Sequence, residues 1–173
     1  MQTIALSPHQ IITLNDYPVH SIAVLRSYVD RCLGEEMLPL VPVIRKAIVR
    51  RHLAPELGRR LASFEQDNPG AVYFMLDGSH RTTALTLTGR KIVVAVYETD
   101  ADIREAAALI GTGQILENGT LEHTLSENCA ILNRHFQIRP WFMTVHQKTV
   151  KMLRENYITP PDQLPAPPAG ITP

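Results

Sequence analysis

The sequence predicts an α/β (α+β) domain, a small mixed sheet with flanking helices, followed by a helical C-terminal extension. Three observations carry this reading. Ala71–Leu76 is a short apolar run, Asp77-Gly78 breaks it, Thr82–Thr88 has helical character up to Gly89, and Lys91–Glu98 is β-branched, which makes a strand–turn–helix–strand unit at the centre of the chain. Hydrophobic residues make up 45% and charged residues 20%, which excludes a disordered, collagen-like or coiled-coil chain. The last third exchanges β-branched runs for helical spacing over Leu121–Phe136 and Pro140–Tyr157.

The elements follow in order. Gln10–Leu14 is a strand candidate, closed by the turn residues Asn15, Asp16 and Pro18. From Ser21 to Gly34, Ile22, Leu25, Tyr28 or Val29, and Cys32 or Leu33 recur at helical spacing, with Ser21 as N-cap and Gly34 just past the end. Leu38–Val49 is apolar and β-branched, and Pro39 and Pro42 place its early part at a strand start or on an edge. Ala54–Gln66 returns to helical spacing through Leu57, Leu61 and Phe64, and Asn68-Pro69-Gly70 closes it. Asp102 and Glu105 have the spacing of a capping box, opening a helix over Ile103–Ile110. In the final helix Pro140 suits the first turn, and Phe142, Val145, Thr149 and Met152 share one side. Trp141 and Phe142 are expected to pin that helix to the domain. The tail from Thr159 holds six of the thirteen prolines and reads as extended and disordered.

Charge and cysteine usage narrow the function classes. Lys plus Arg and Asp plus Glu number 17 each, so no global field draws the chain to nucleic acid or acidic lipid. Cys32 and Cys129 form neither a disulfide framework nor a zinc spacing and read as buried thiols of a reducing compartment. The amino end has no basic flank and no long apolar run, so a secretory leader is not expected. No run approaches the ~20 apolar residues of a membrane helix. The expectation is a cytoplasmic protein without a membrane partner. The seven histidines show no metal-ligand spacing, so no metal site is expected of the chain itself.

One segment carries chemistry: Phe74-Met-Leu-Asp77-Gly78-Ser79-His80-Arg81-Thr82-Thr83-Ala84-Leu85. An apolar strand runs through a glycine into a helix whose first turn holds Ser, His, Arg and Thr. A helix N-terminus presents unpaired N–H groups and the positive end of the dipole, which favour an anion. Gly78 lets the backbone approach a phosphate closely. Arg81 can add a bidentate fork, His80 a ring donor, and Ser79, Thr82 and Thr83 hydroxyls. The same residues also suit a plain helix start, with Asp77 or Ser79 as cap.

The stretch Val72–Val96 resembles the signature of the ParB/sulfiredoxin-like superfamily. In that family a strand ends in a Gly-x-His/Arg-Arg box, a helix follows, and a small-residue turn leads to another strand. Here the box is Gly78-Ser79-His80-Arg81, Gly89 stands at the turn, and Ile92–Val96 is the next strand. Asp77 before the box is similar to the Asp-Gly-His-His-Arg form of the free-serine kinases in the family. The resemblance extends, more thinly, over Gln10–Leu14, the helix from Ser21, Leu40–Val49 and the helix after Asp102.

This resemblance implies a nucleotide-binding domain over residues 1–112, a helical extension over 113–158 and a proline-rich tail over 159–173. It implies ATP, ADP or CTP held by its phosphates at Gly78, Ser79, His80, Arg81, Thr82 and Thr83, with Mg²⁺; apart from the resemblance, Arg45 in the basic run is a further candidate for a phosphate. Asp77 and His80 are the catalytic candidates of a phosphotransferase of the small-molecule kinase kind or of a nucleotide hydrolase. The sulfiredoxin cysteine is Ser79 here, so sulfinate reduction is not expected. The Glu and first Arg of the partition proteins' Gly-Glu-Arg-Arg are Ser79 and His80, and the kinases' general-base Glu has no counterpart at Val19-His20-Ser21. The alternative is a DNA-associated module or ParB-like nuclease using Arg45-Lys46, Arg50-Arg51 and Arg59-Arg60, a basic run that Glu56 interrupts. A nuclease would need clustered carboxylates, and only Asp77 stands at the box. A helix-turn-helix over Leu121–Tyr157 is the weakest expectation, because its joint Gln137-Ile-Arg139 lacks a glycine.

Overall fold

The sheet forms where β-branched and aromatic residues have lost their period-two alternation. Such runs are buried on both faces and must pair on both edges. The computed structural model describes residues 1–161 apart from Asn15 and His20. Its strands are β1 (Gln2–Leu6), β2 (Ile11–Ile12), β3 (Val41–Arg45), β4 (Tyr73–Met75) and β5 (Ile92–Tyr97), in the order β1-β5-β3-β4-β2. The sheet is mixed: β1/β5 and β3/β4 are antiparallel, β3/β5 and β2/β4 parallel.

Helices α1 (Ile22–Leu33), α4 (Ser79–Leu87) and α7 (Val145–Arg154) supply one core, through Leu25, Val29, Ala84, Val145 and Met152. Helices α2 (Lys46–Val49), α3 (Pro55–Asp67), α5 (Asp100–Ala107) and α6 (Leu125–Ile138) supply the other, through Val49, Leu61, Ile103, Leu132 and Phe136. The described residues therefore form the mixed α/β class that the sequence predicts, with helices on both faces of a five-stranded sheet.

Several elements differ from expectation, each for a physical reason. β1 escapes sequence reading because it is a half-exposed edge strand whose order comes from pairing Gln2–Leu6 along β5. β3 is the middle strand rather than an edge. Pro42 is tolerated as its second residue, where the missing N–H falls at the start of the ladder. The apolar run after Arg45 turns into α2 and a 3-10 turn, so Arg50 and Arg51 do not extend the strand. The cap of α5 is Thr99, not Asp102. Asp102 is the N3 residue and returns its carboxylate to the N–H groups of Glu98 and Thr99. Likewise α7 starts at the Thr144/Gln147 capping box, beyond Pro140.

α6 and α7 are not a helix-turn-helix, because they lie on opposite faces of the sheet. The segment between them crosses the open edge of β2: Thr13 N–H donates to Met143 O at 3.0 Å, and Ile12 bridges Thr144. Phe142 anchors the crossing against Phe136 (4.7 Å between ring centroids), Phe64 and Phe74. Residues 162–173, most of the proline-rich tail, lie outside the described residues.

Candidate functional site

β4 delivers the chain to Asp77 and Gly78, and α4 begins at Ser79. Gly78 has φ +106° and ψ 29°. The left-handed backbone favours glycine, and a Cβ there would stand 3.2 Å from Arg81 Nη2 and 3.3 Å from Val41 Cγ2, closer than ordinary contact. Ser21, Thr99, Thr124 and Thr144 cap α1, α5, α6 and α7 through their side chains. No side chain caps α4, as none caps α2 or α3. Its first helical hydrogen bond runs from Thr82 N–H to Gly78 O at 2.9 Å, so the N–H groups of the preceding turn stand outside the helical ladder.

The side chains of the box divide into wall and floor. Arg81 is the principal correction, since its guanidinium is 2% exposed and already engaged. Nη1 donates to Pro39 O (3.1 Å) and Leu40 O (2.8 Å), and Nη2 to Asp77 Oδ2 (2.8 Å). Instead of offering a free fork, Arg81 ties the entry of β3 to the turn and fixes Asp77 beside it. Thr82 and Thr83 are 1% exposed. Thr82 Oγ1 donates back to Gly78 O and Ser79 O, and neither threonine presents a hydroxyl to solvent. His80 Nε2 accepts the Ser21 N–H at 3.2 Å, which sets that nitrogen as an acceptor and ties the start of α1 to the box. Asp77 keeps 44% of its side chain exposed.

Arg45 is not brought to the box. It pairs in register with Tyr73 at the start of β4, whereas the box follows the end of β4. Its guanidinium meets Glu98 and lies 5.4 Å from the Tyr73 ring centroid. The basic run behind it is partly matched: Lys46 and Arg50 share Glu65, and Arg59 and Arg60 share Glu56. Sequence reading counted Glu56 alone. The fold adds Glu65 and Glu98.

Lys148 completes the site and was missed. It sits on the buried side of α7 with Val145, Thr149 and Met152, and is 2% exposed. Its Nζ lies 2.6 Å from Asp16 Oδ1 and 3.3 Å from Ser79 Oγ. Burial pulls its pKa below the ordinary lysine value, against the pull of Asp16, which favours the cation. The available signal was its position: a lysine three residues after Val145 and four before Met152 falls within the apolar stripe.

Two adjoining clefts open here and share Leu14 and Asp77 as a common wall. One, of about 310 Å³, is lined by Asp16, Tyr28, Leu116 and the box residues 77–81. The other, of about 340 Å³, is lined by residues of α6 and the loop before it, among them Asn118, His123, Asn128 and His135. Burial lowers the pKa of His135, with Arg139 and Lys148 adding to the effect and Asp16 opposing it. Among the described residues no group of three or more His, Cys, Asp or Glu could hold a metal. Asp77 is one half-exposed carboxylate beside the cleft, which fits Mg²⁺ carried mainly by phosphate oxygens and water. Among the same residues no helix is long and apolar enough to cross a membrane. Compared with family models, curated proteins and solved structures, the chain has no match.

Proposed function

We propose that the cleft at the start of α4 binds a nucleotide by its phosphates and serves phosphoryl transfer. The observation that carries this reading is the uncapped N-terminus of α4, with Gly78 baring the backbone and the Lys148 ammonium reaching Ser79 from beneath. The N–H groups of the first turn supply donors and positive potential in one place. Lys148 and Arg81 balance the carboxylates of Asp16 and Asp77, so the positive end of the helix dipole meets the ligand without a net negative floor. Asp77, held by Arg81, would orient Mg²⁺ or an acceptor hydroxyl. Ser79 and the backbone take the phosphate role that sequence reading gave to Arg81, Thr82 and Thr83. The reading as a DNA-associated module has less support, because Glu56, Glu65 and Glu98 engage Arg45, Lys46, Arg50, Arg59 and Arg60 and halve the charge of the basic run.

The test is thermal stabilisation by ATP, ADP and CTP, with and without Mg²⁺. A nucleotide at a hundred times its Kd stabilises a specific site by about 2.7 kcal/mol. Ser79→Asp places a carboxylate at the first helical position beside Lys148, where the helix dipole favours it. This variant is expected to fold and to lose the nucleotide shift. Absence of stabilisation by any nucleotide, or full affinity in Ser79→Asp, overturns the proposal.

A further inference from the structure

The second cleft, on the far side of Asp77, has a polar feature of its own. Asn128 is 1% exposed yet lines this cleft. Its Nδ2 is surrounded by carbonyl oxygens of Thr120 (2.9 Å), Thr124 (3.2 Å) and His123 (3.4 Å). Three acceptors around one end fix the sense of the amide, because the reverse orientation would set oxygen against oxygen. Asn128 Oδ1 is then the polar atom it can turn to the cavity, and no donor among the described residues reaches it. An acceptor that faces a cleft without a protein donor can take its hydrogen bond from a ligand.

The rest of the lining suits a flat, largely apolar group. Leu14, Leu76, Ile131 and Leu132 supply aliphatic wall, and His135 lines the same cavity. The cavity is within the size range of small-molecule sites, and it meets the phosphate cleft at Leu14 and Asp77.

We infer that the cavity between α6 and Asp77 is a base subsite that selects adenine or cytosine, by the amino group at adenine C6 or cytosine C4, through Asn128 Oδ1. This rests on the phosphate reading of the adjoining cleft. The amino group donates to Oδ1. The oxo group of hypoxanthine, guanine or uracil at the same position offers only an acceptor and leaves two oxygens facing each other. The selectivity belongs to α6 and the loop before it, outside the stretch whose sequence suggested a phosphate site.

The experiment is isothermal titration of the full chain with ATP, ITP, adenosine, inosine and inorganic tripolyphosphate. ATP and ITP share phosphates and sugar and differ at the amino or oxo position of the base. The expected result is that ATP binds at least about tenfold more tightly than ITP, the loss that follows from an unmet buried acceptor. Adenosine exceeds inosine in the same sense. In Ile131→Trp, whose half-buried position lets the indole fill the cavity, ATP falls to the level of tripolyphosphate. Equal affinity for ATP and ITP, with tripolyphosphate binding intact, overturns the subsite and leaves the phosphate reading standing. Discrimination of adenosine from inosine without tripolyphosphate binding supports the subsite and overturns the phosphate reading. Binding of none of the five overturns both.

Discussion

Lys148→Met is the perturbation that most directly tests the architecture of the site. Methionine keeps the length and apolar stem of lysine within the buried stripe of α7 but removes the ammonium. The Nζ it replaces is 2% exposed and holds Asp16 at 2.6 Å and Ser79 at 3.3 Å. Removing one partner of a fully buried pair costs about 3–5 kcal/mol, because the other charge is left unsolvated. Asp16 retains 20% exposure, so water recovers part of that loss, and the expected cost is about 2–3 kcal/mol. Urea unfolding reads this as a midpoint about 1 M lower, for an m-value of about 2–3 kcal/mol/M. The double variant Asp16→Asn with Lys148→Met removes both charges and is expected to recover most of the stability, with a coupling of about 2 kcal/mol. The pH dependence has a definite sign. Folding lowers the Lys148 pKa, so the unfolded chain binds more protons between that lowered value and the ordinary one of 10.5. Stability of the wild type should therefore gain a rising component in this alkaline window, and Lys148→Met should lack it. A Lys148→Met variant within about 0.5 kcal/mol of wild type refutes the reasoning, as does a double variant as unstable as the sum of the singles.

Further outcomes are expected elsewhere. Gly78→Ala should destabilise by at least about 1–2 kcal/mol in chemical denaturation, since φ is +106° and the new Cβ presses on Arg81 and Val41; an unchanged midpoint would show that the turn relaxes. Arg81→Lys should cost about 2–4 kcal/mol, because an ammonium cannot span Pro39 O, Leu40 O and Asp77 together, and wild-type stability would reduce the fork to ornament. Asp102 has a pKa of about 2: burial raises it, but bonds from the Met1 ammonium and the Glu98 and Thr99 N–H groups outweigh burial. Its stabilisation is complete above the unfolded value of 3.8 and lost as pH falls toward 2; Asp102→Ala should lose about 1 kcal/mol at neutral pH and show a flatter acid limb, and identical acid limbs would exclude this role. Burial pushes the Cys129 thiol up to about 11 and raises Cys32 as well, so neither should react with a thiol reagent at pH 8 before unfolding, and rapid native labelling would contradict the buried placement.

What could be read in advance follows the range of the forces involved. Ser21 as the cap of α1, and the strand–turn–helix–strand order at the centre, depend on neighbours a few residues apart, and both are present. The glycine at 78 was legible for the same reason, because a left-handed turn is a local demand. β1 was not, since Gln2–Leu6 gains its order from β5, far along the chain. Nor was the sidedness of α6 and α7, whose crossing is fixed by the edge of β2 and a cluster of phenylalanines drawn from four elements and loops.

The site divides along the same line. The sequence by itself determined that a strand would run through Asp77-Gly78 into a helix, and so that a helix N-terminus would lie at Ser79. Tertiary structure alone decided which polar groups there remain available. Arg81 reaches carbonyls 41 and 42 residues away, His80 meets Ser21, and Lys148 arrives from 69 residues downstream of Ser79. The physical reason is that secondary structure answers to torsional preference and near neighbours. The availability of a buried donor depends on every acceptor that packing brings within about 3 Å of it, and those acceptors come from anywhere in the chain.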